Sequence, residues 1–174
     1  VGPGNRVAAN LSGVSHDQLR RGDVLVRPDD WHVTRTVDAS LRVLESLDRP
    51  VTRRGAHLLY LGSGEHPVRV RVLGPDAIEP GATGAVRMHL PIGLPLVPGD
   101  RFIRESGQGV TLGGGEILDV DPIVPASRAK PDRDVERVVY ERGRVDVDHL
   151  RRLTGKLRAP DVGRWAVDPT ALAA

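Results

Sequence analysis

The sequence predicts a mainly β protein, a closed antiparallel barrel followed by a small α-helical segment, and three observations carry that prediction. Short runs of alternating apolar and polar residues recur between turn signals, as in Val37, Ala39, Leu41, Val43 and again in Val68, Val70, Val72. Aromatic residues make up only 3% of the 174 residues, so a core must be built from Val, Leu, Ile and Ala, which suits a narrow barrel. The texture changes after Pro122, where a polar Pro-bracketed stretch gives way to helical spacing. Closure is the economical arrangement for six or so short strands, because it removes exposed edges.

Taken in order, Val1 to Asn5 is turn chemistry, and Arg6 to Leu11 reads as a half-alternating strand. Ser15 offers a helix cap for a short turn, and Arg21-Gly22-Asp23 punctuates before a second strand, Val24 to Val26. Asp29 to Thr36 connects, with Trp31 and His32 placed to fill a seam between barrels. Val37 to Val43 is a half-buried strand, and Leu58 to Leu61 is a continuous apolar run suited to a strand covered on both faces. Val68 to Val72 and Val86 to Leu90 alternate with arginines and a histidine. Pro98-Gly99-Asp100 turns the chain into a strand from Arg101 to Glu105, and a small-residue loop, Ser106 to Gly109, returns it. Val110 to Leu112 opens the last strand, where Gly113, Gly114 and Gly115 suggest a bulge or bend that lets backbones approach closely. A phosphate-cradling use of these glycines lacks its context, since no Lys-Ser/Thr and no helix follow. Beyond a linker at 123–131, Asp132 to Arg142 has helical spacing with acids at its start; Asp146 to Leu153 forms a second helix ending at Gly155, and Arg164 to Val167 a short strand.

Formal charge is +2, yet the isoelectric point is about 9.5, with Lys130 and Lys156 the only lysines among 25 basic residues. The absence of cysteine excludes disulfides, zinc–thiolate sites and cysteine nucleophiles. Six histidines lie on separate predicted elements without ligand spacing, and no G-x-S-x-G elbow supports a serine nucleophile. No stretch has the length of a spanning helix or a secretory leader, so a soluble, cytoplasmic protein without a membrane partner is expected.

Three motifs in order, RRGDVLV, PGDRFIRE and TLGGGEILD, resemble the translation GTPases related to elongation factor Tu, and the triple glycine before EILD is most similar to the selenocysteine-specific elongation factor, SelB. The resemblance covers residues 5–122 and implies the closing strands of an incomplete second barrel at 1–29, the third-domain barrel at 33–122, the linker at 123–131 and a partial winged-helix segment at 132–174. It implies a parent GTPase that delivers selenocysteyl-tRNA to the ribosome at UGA codons, with GTP and magnesium held in a GTPase domain outside this chain. The chain itself would be non-catalytic, with no cofactor or metal of its own. Its partners would be tRNA, its own GTPase domain, the ribosome and, through terminal winged helices mostly absent here, a messenger RNA hairpin.

The positions matching the family's tRNA-facing elements are Arg53, Arg54 and His57, then Glu65 and His66, then Arg104, Gly107 and Gln108. Arginine forks suit phosphate oxygens, and glycine backbone permits close approach. Each has a plainer reading beside it: Arg53-Arg54 as a solvated turn, His57 as a histidine satisfied at a barrel end. Arg69, Arg71 and Arg87 read as an outward solvated face or as part of the GTPase-domain contact. Arg151, Arg152, Lys156, Arg158 and Arg164 form the densest basic group outside the barrel, and a spacer role is expected for that segment. Two alternatives stay open: another translation or sulfate-assimilation GTPase of the same architecture, and a free-standing β-barrel enzyme.

Overall fold

A computed structural model describes residues 2, 4–52, 57–106 and 109–172. Alternating sequence becomes alternating burial in β1 (Val33–Val43), where Val37, Ala39, Leu41 and Val43 are fully buried. After the short β2 (Val51–Thr52) come β3 (His57–Leu61) and β4 (Gly64–Val72), the latter buried at every second residue along its whole length. The short β5 (Ala77–Ile78), the long β6 (Thr83–Pro95), β7 (Arg101–Ser106) and β8 (Thr111–Asp119) follow. Six of these close into an antiparallel barrel in the order β1-β6-β4-β3-β7-β8, and β2 pairs with β5 as a separate two-stranded ribbon. That ribbon was not legible in the sequence, yet its Val51 and Ile78 belong to the core.

β8 is the tightest part of the wall. It runs without interruption through Gly113–Gly115, in register with Val43, Arg42 and Leu41 of β1 on one side and with Phe102 to Arg104 of β7 on the other. A Cβ on Gly115 would lie 1.8 Å from the Ser40 carbonyl oxygen, and one on Gly113 2.1 Å from that of Arg42. The glycines therefore supply the close approach expected of them. The register shifts lie beside the run, between Asp38 and Ala39 and between Arg104 and Glu105, rather than within it.

The strands expected at Arg6–Leu11 and Val24–Val26 do not form. Residues 4–32 carry no strand, only a one-turn 3-10 helix at His16–Gln18. A lone extended segment has no ladder to satisfy its N–H and C=O groups, and local alternation alone does not hold one. The segment touches the barrel at the β3–β4 turn, where Arg21 Nε donates to the Ser63 carbonyl at 3.0 Å.

The C-terminal part consists of α1 (Val135–Arg142), β9 (Arg144–Asp146), α2 (Val147–Thr154), β10 (Trp165–Val167) and α3 (Pro169–Leu172), with β9 and β10 paired. Both longer helices start where their acids predict. The Asp134 carboxylate accepts from Glu136 N–H, and that of Asp146 accepts from Asp148 and His149 N–H. Gly155, in the left-handed region at φ 68°, ends α2. Val138, Val139, Val145, Leu150, Leu153 and Ala166 join the barrel residues in one hydrophobic cluster.

Ion pairs add to this apolar join between barrel and helices. Asp38 and Arg87 face outward from β1 and β6 but are buried, bound through two contacts of 2.6 and 2.8 Å, and Arg87 also donates to the Val124 carbonyl. Arg137 of α1 reaches Asp119, Asp132 and Glu141 at 2.9, 2.8 and 2.7 Å. Arg142 holds Asp121 at 3.0 Å, and Arg133 bridges back to Glu116 of β8 at 3.4 Å. The stretch at 123–131 thus follows the barrel wall, with Val124 held to Arg87.

Candidate nucleic-acid interface

Strand direction sorts the loops into two ends. β1, β4 and β7 run toward one end, which carries residues 44–50, 73–76, 79–82 and 109–110 together with the β2–β5 ribbon; contacts such as Leu44 N–H to Leu112 O and Gly81 N–H to Val43 O tie it together. We term this the distal end. The N-terminal segment and the helices lie toward the opposite, proximal end, beside the β3–β4 turn and the exit of β8.

The expected tRNA-facing residues divide between the two. Arg53, Arg54, Gly107 and Gln108 lie outside the described residues. His57 opens β3 at the distal end, pairs in register with Ser106 and is buried, with 7% of its surface exposed. Arg104 pairs with Leu59 of β3 and Gly113 of β8, and faces into the barrel with no exposed surface. Neither side chain sits on an outer rim, because His57 lies two residues from buried Leu59 on β3 and Arg104 two residues from buried Phe102 on β7, so both fall on the inward phase.

Glu65 and His66 lie farther toward the proximal end, on the first turn of β4. His66 points inward, its ring close enough to Gly64 that a Cβ there would lie 2.4 Å from Nε2, and Gly22 of the N-terminal segment packs over the same spot. Glu65 faces outward opposite Tyr60. Burial first, then the neighbouring Glu105 and Glu65 carboxylates, push the Tyr60 phenol up from its ordinary value, so this patch is acidic.

Arg104 is the strongest anomaly in the molecule. Its Nε, Nη1 and Nη2 are all buried and have no hydrogen-bond partner among the described residues, and desolvation lowers its pKa to about 10. Buried charges are ordinarily paired. Nothing in the residue pattern distinguished it from Arg101, its neighbour on the exposed phase of the same strand.

Other described cations are exposed. Arg69 and Arg71 stand out from β4 beside His89 of β6, whose Nδ1 lies 3.2 Å from Thr36 Oγ1. Arg87, grouped with them from sequence, is instead committed to Asp38. In the helical part the Arg144 and Arg164 guanidinium carbons sit 5.4 and 5.7 Å from the Trp165 ring centroid. Arg158, placed in the same basic group, is bound to Glu136 and Asp161 at 2.9 and 2.7 Å. A shallow open groove on the outer wall runs past Tyr60, Arg101, Ile103 and Glu116. Among the described residues no group of three or more His, Asp or Glu could hold a metal ion, and no helix is long and apolar enough to cross a membrane.

No protein-family model matches the chain. It is 33% identical over 117 residues to a selenocysteine-specific elongation factor of Desulfomicrobium baculatum, a match covering 67% of this chain and 18% of that protein. It is 32% identical over 129 residues to elongation factor Tu 2 of Streptomyces avermitilis, covering 68% of this chain and 31% of the relative. Among solved structures, a bacterial selenocysteine-specific elongation factor, EF-Sec, aligns with a TM-score of 0.70 and 16% identity over 92% of this chain and 28% of that one. The chain therefore spans less than a third of the length of each of these relatives. With a closed six-stranded antiparallel barrel of the kind found in elongation factor Tu and a match to the selenocysteine-specific factor by both sequence and fold, the chain belongs to the selenocysteine-specific elongation factor family as a segment of such a factor.

Proposed function

We propose that this segment is the third-domain barrel of a selenocysteine-specific elongation factor, and that it grips the backbone of selenocysteyl-tRNA while catalysis resides in a separate GTPase domain. The observation that carries this reading is the 33% identity to a selenocysteine-specific elongation factor across 117 residues. Recognition by such a surface rests on shape and phosphate contacts, for which the distal end, remote from the helices, is the natural face. The groove side of the barrel wall is left for the factor's own GTPase domain. The ribosome is a partner of the whole factor, and the α1–α2 segment with its paired β9 and β10 is a partial winged helix that acts as a spacer toward messenger RNA.

GTP and magnesium belong to that GTPase domain, and the glycine run here does not fit them. Gly113–Gly115 lie mid-strand against the Ser40 and Arg42 carbonyl oxygens, and no helix N-terminus follows them to receive a phosphate.

The test is binding of the chain to selenocysteine tRNA and to bulk tRNA at two salt concentrations. Weak binding that falls steeply with salt is expected, because the grip is shared with other domains. Undetectable binding to either RNA, or tight binding insensitive to salt, refutes the reading. The 32% identity to elongation factor Tu 2 supports a second reading, a barrel serving a general factor, which predicts equal affinity for both RNAs. A GTP titration of the same chain should show no saturable binding.

A further inference from the structure

We propose that His32 and His149 form a proton-sensitive clasp, which holds the residues ahead of the barrel against α2 while both imidazoles are neutral and releases them when both carry a proton. The clasp governs how the N-terminal segment and the helices are joined, and it holds whatever the barrel binds.

Segments far apart in sequence meet there. His32 lies one residue before β1, His149 is in the first turn of α2, and their rings stand edge to face, 5.9 Å between centroids at 73°. Arg152, farther along α2, donates to the Asp29 carbonyl at 3.3 Å. Asp29 is the one described residue other than glycine at positive φ, 64°, a conformation that persists only where its neighbours hold it. Residues 4–32 contribute no strand, so this segment is held to the helices by side chains rather than by a ladder, and a small change in charge decides whether it stays.

The charges around the two rings cannot accommodate two more. Arg152 of α2 and Arg142 of α1 both act on His149, and among the described residues Asp121, at the barrel exit, is the one facing group of opposite sign. Asp121 lies 3.9 Å from His32 Nε2, but Arg142 already holds its carboxylate at 3.0 Å and its carbonyl oxygen at 2.7 Å. The other acids nearby are engaged or turned away: Asp119 with Arg137, Asp146 with the α2 N–H groups and Arg164, and Asp148 exposed. A second imidazolium would meet two guanidiniums, the first imidazolium and the positive end of a helix. Separation relieves the repulsion between the two rings. Burial first, then Arg152 and His32, hold His149 below the ordinary histidine value of 6.5, against the pull of Asp121. A histidine depressed in the closed form stabilises that form above its value in the open one, and the stabilisation is lost as pH falls below it. The clasp is thus shut at neutral pH and opens on acidification.

The experiment is pulsed dipolar EPR on the full chain with spin labels at D30C and L157C, two exposed positions in a protein with no cysteine of its own. At about pH 8 a single narrow distance distribution is expected, and at about pH 5 a broader and longer one, reversed on neutralisation. The midpoint of the change should lie below pH 6.5. H149Q and H32Q each limit the pair to one proton, so each should keep the narrow distribution at both values. No change with pH in the protein that keeps both histidines overturns the proposal, as does equal broadening in either variant. Broadening that coincides with loss of far-ultraviolet circular dichroism also overturns it, because that marks acid unfolding of the whole chain, and so does a broad distribution already present at about pH 8. If one variant misfolds the other decides; failure of both to fold overturns the clasp, since the histidines would then be packing elements.

Discussion

Truncating Asp38 probes the join between barrel and helices directly. In D38A the Arg87 guanidinium, whose side chain is only 10% exposed, loses both carboxylate contacts and keeps one acceptor, the Val124 carbonyl at 2.9 Å. Breaking a buried ion pair from one side costs about 3–5 kcal/mol, because the remaining charge stays desolvated. For a chain of this size that lowers the thermal midpoint by about 6–20 °C. The pair itself contributes far less than this figure. Burial pushes the Asp38 carboxyl up despite Arg87, so desolvation outweighs attraction at that carboxylate. D38L/R87M should accordingly return to within about 1 kcal/mol of wild type or exceed it. Urea and thermal denaturation followed by circular dichroism measure all three proteins. A D38A cost below about 1 kcal/mol, or a double variant no better than the single, refutes the argument that an orphaned charge dominates.

Two other perturbations separate backbone crowding from helix capping. G115A forces a methyl group to within 1.8 Å of the Ser40 carbonyl oxygen, so β1 and β8 must part; destabilisation of about 3 kcal/mol or more is expected in the same assays, and a wild-type midpoint would contradict the fit of β8. Asp146 is held below the usual carboxylate value, first by the His149 backbone N–H and then by Arg164 and the Asp148 N–H, against the opposing effect of burial. A depressed folded pKa contributes stability that is present above the unfolded value and lost on acidification, so the difference in midpoint between wild type and D146A should be full at pH 6 and close as pH falls below 3.8; a difference that persists unchanged there would rule out this source.

The barrel was legible because its signal is a period of two. Val37 to Val43 and Val68 to Val72 put every second residue inside, and strands formed there longer than the alternating runs alone indicated. The same pattern misled at Arg6–Leu11 and Val24–Val26, since alternation says that a strand would have an apolar face and not that a neighbouring strand exists to pair with it. Phase was the harder problem at the candidate interface. The resemblance put Arg104 and His57 among the tRNA-facing positions, with a barrel-end histidine as the plainer reading of His57, but one step along a strand decides between rim and interior, and the register of β3 with β7 sends both inward. Asp38 shows the converse: it faces away from the barrel core as its phase requires, and is buried only because the stretch through Val124 and α1 covers it, a contact between segments that no local pattern encodes. The helix starts were plain, because Asp134 and Asp146 are short-range caps whose partners lie two or three residues away.

Arg137 gathers three carboxylates drawn from the last barrel strand, the loop after it and its own helix. Such a knot turns a nominal tether into a stiff elbow. Tension pulling on the helices would be delivered to the strand beside the glycine run instead of being absorbed in slack, so a tug from downstream reaches the cylinder as torque.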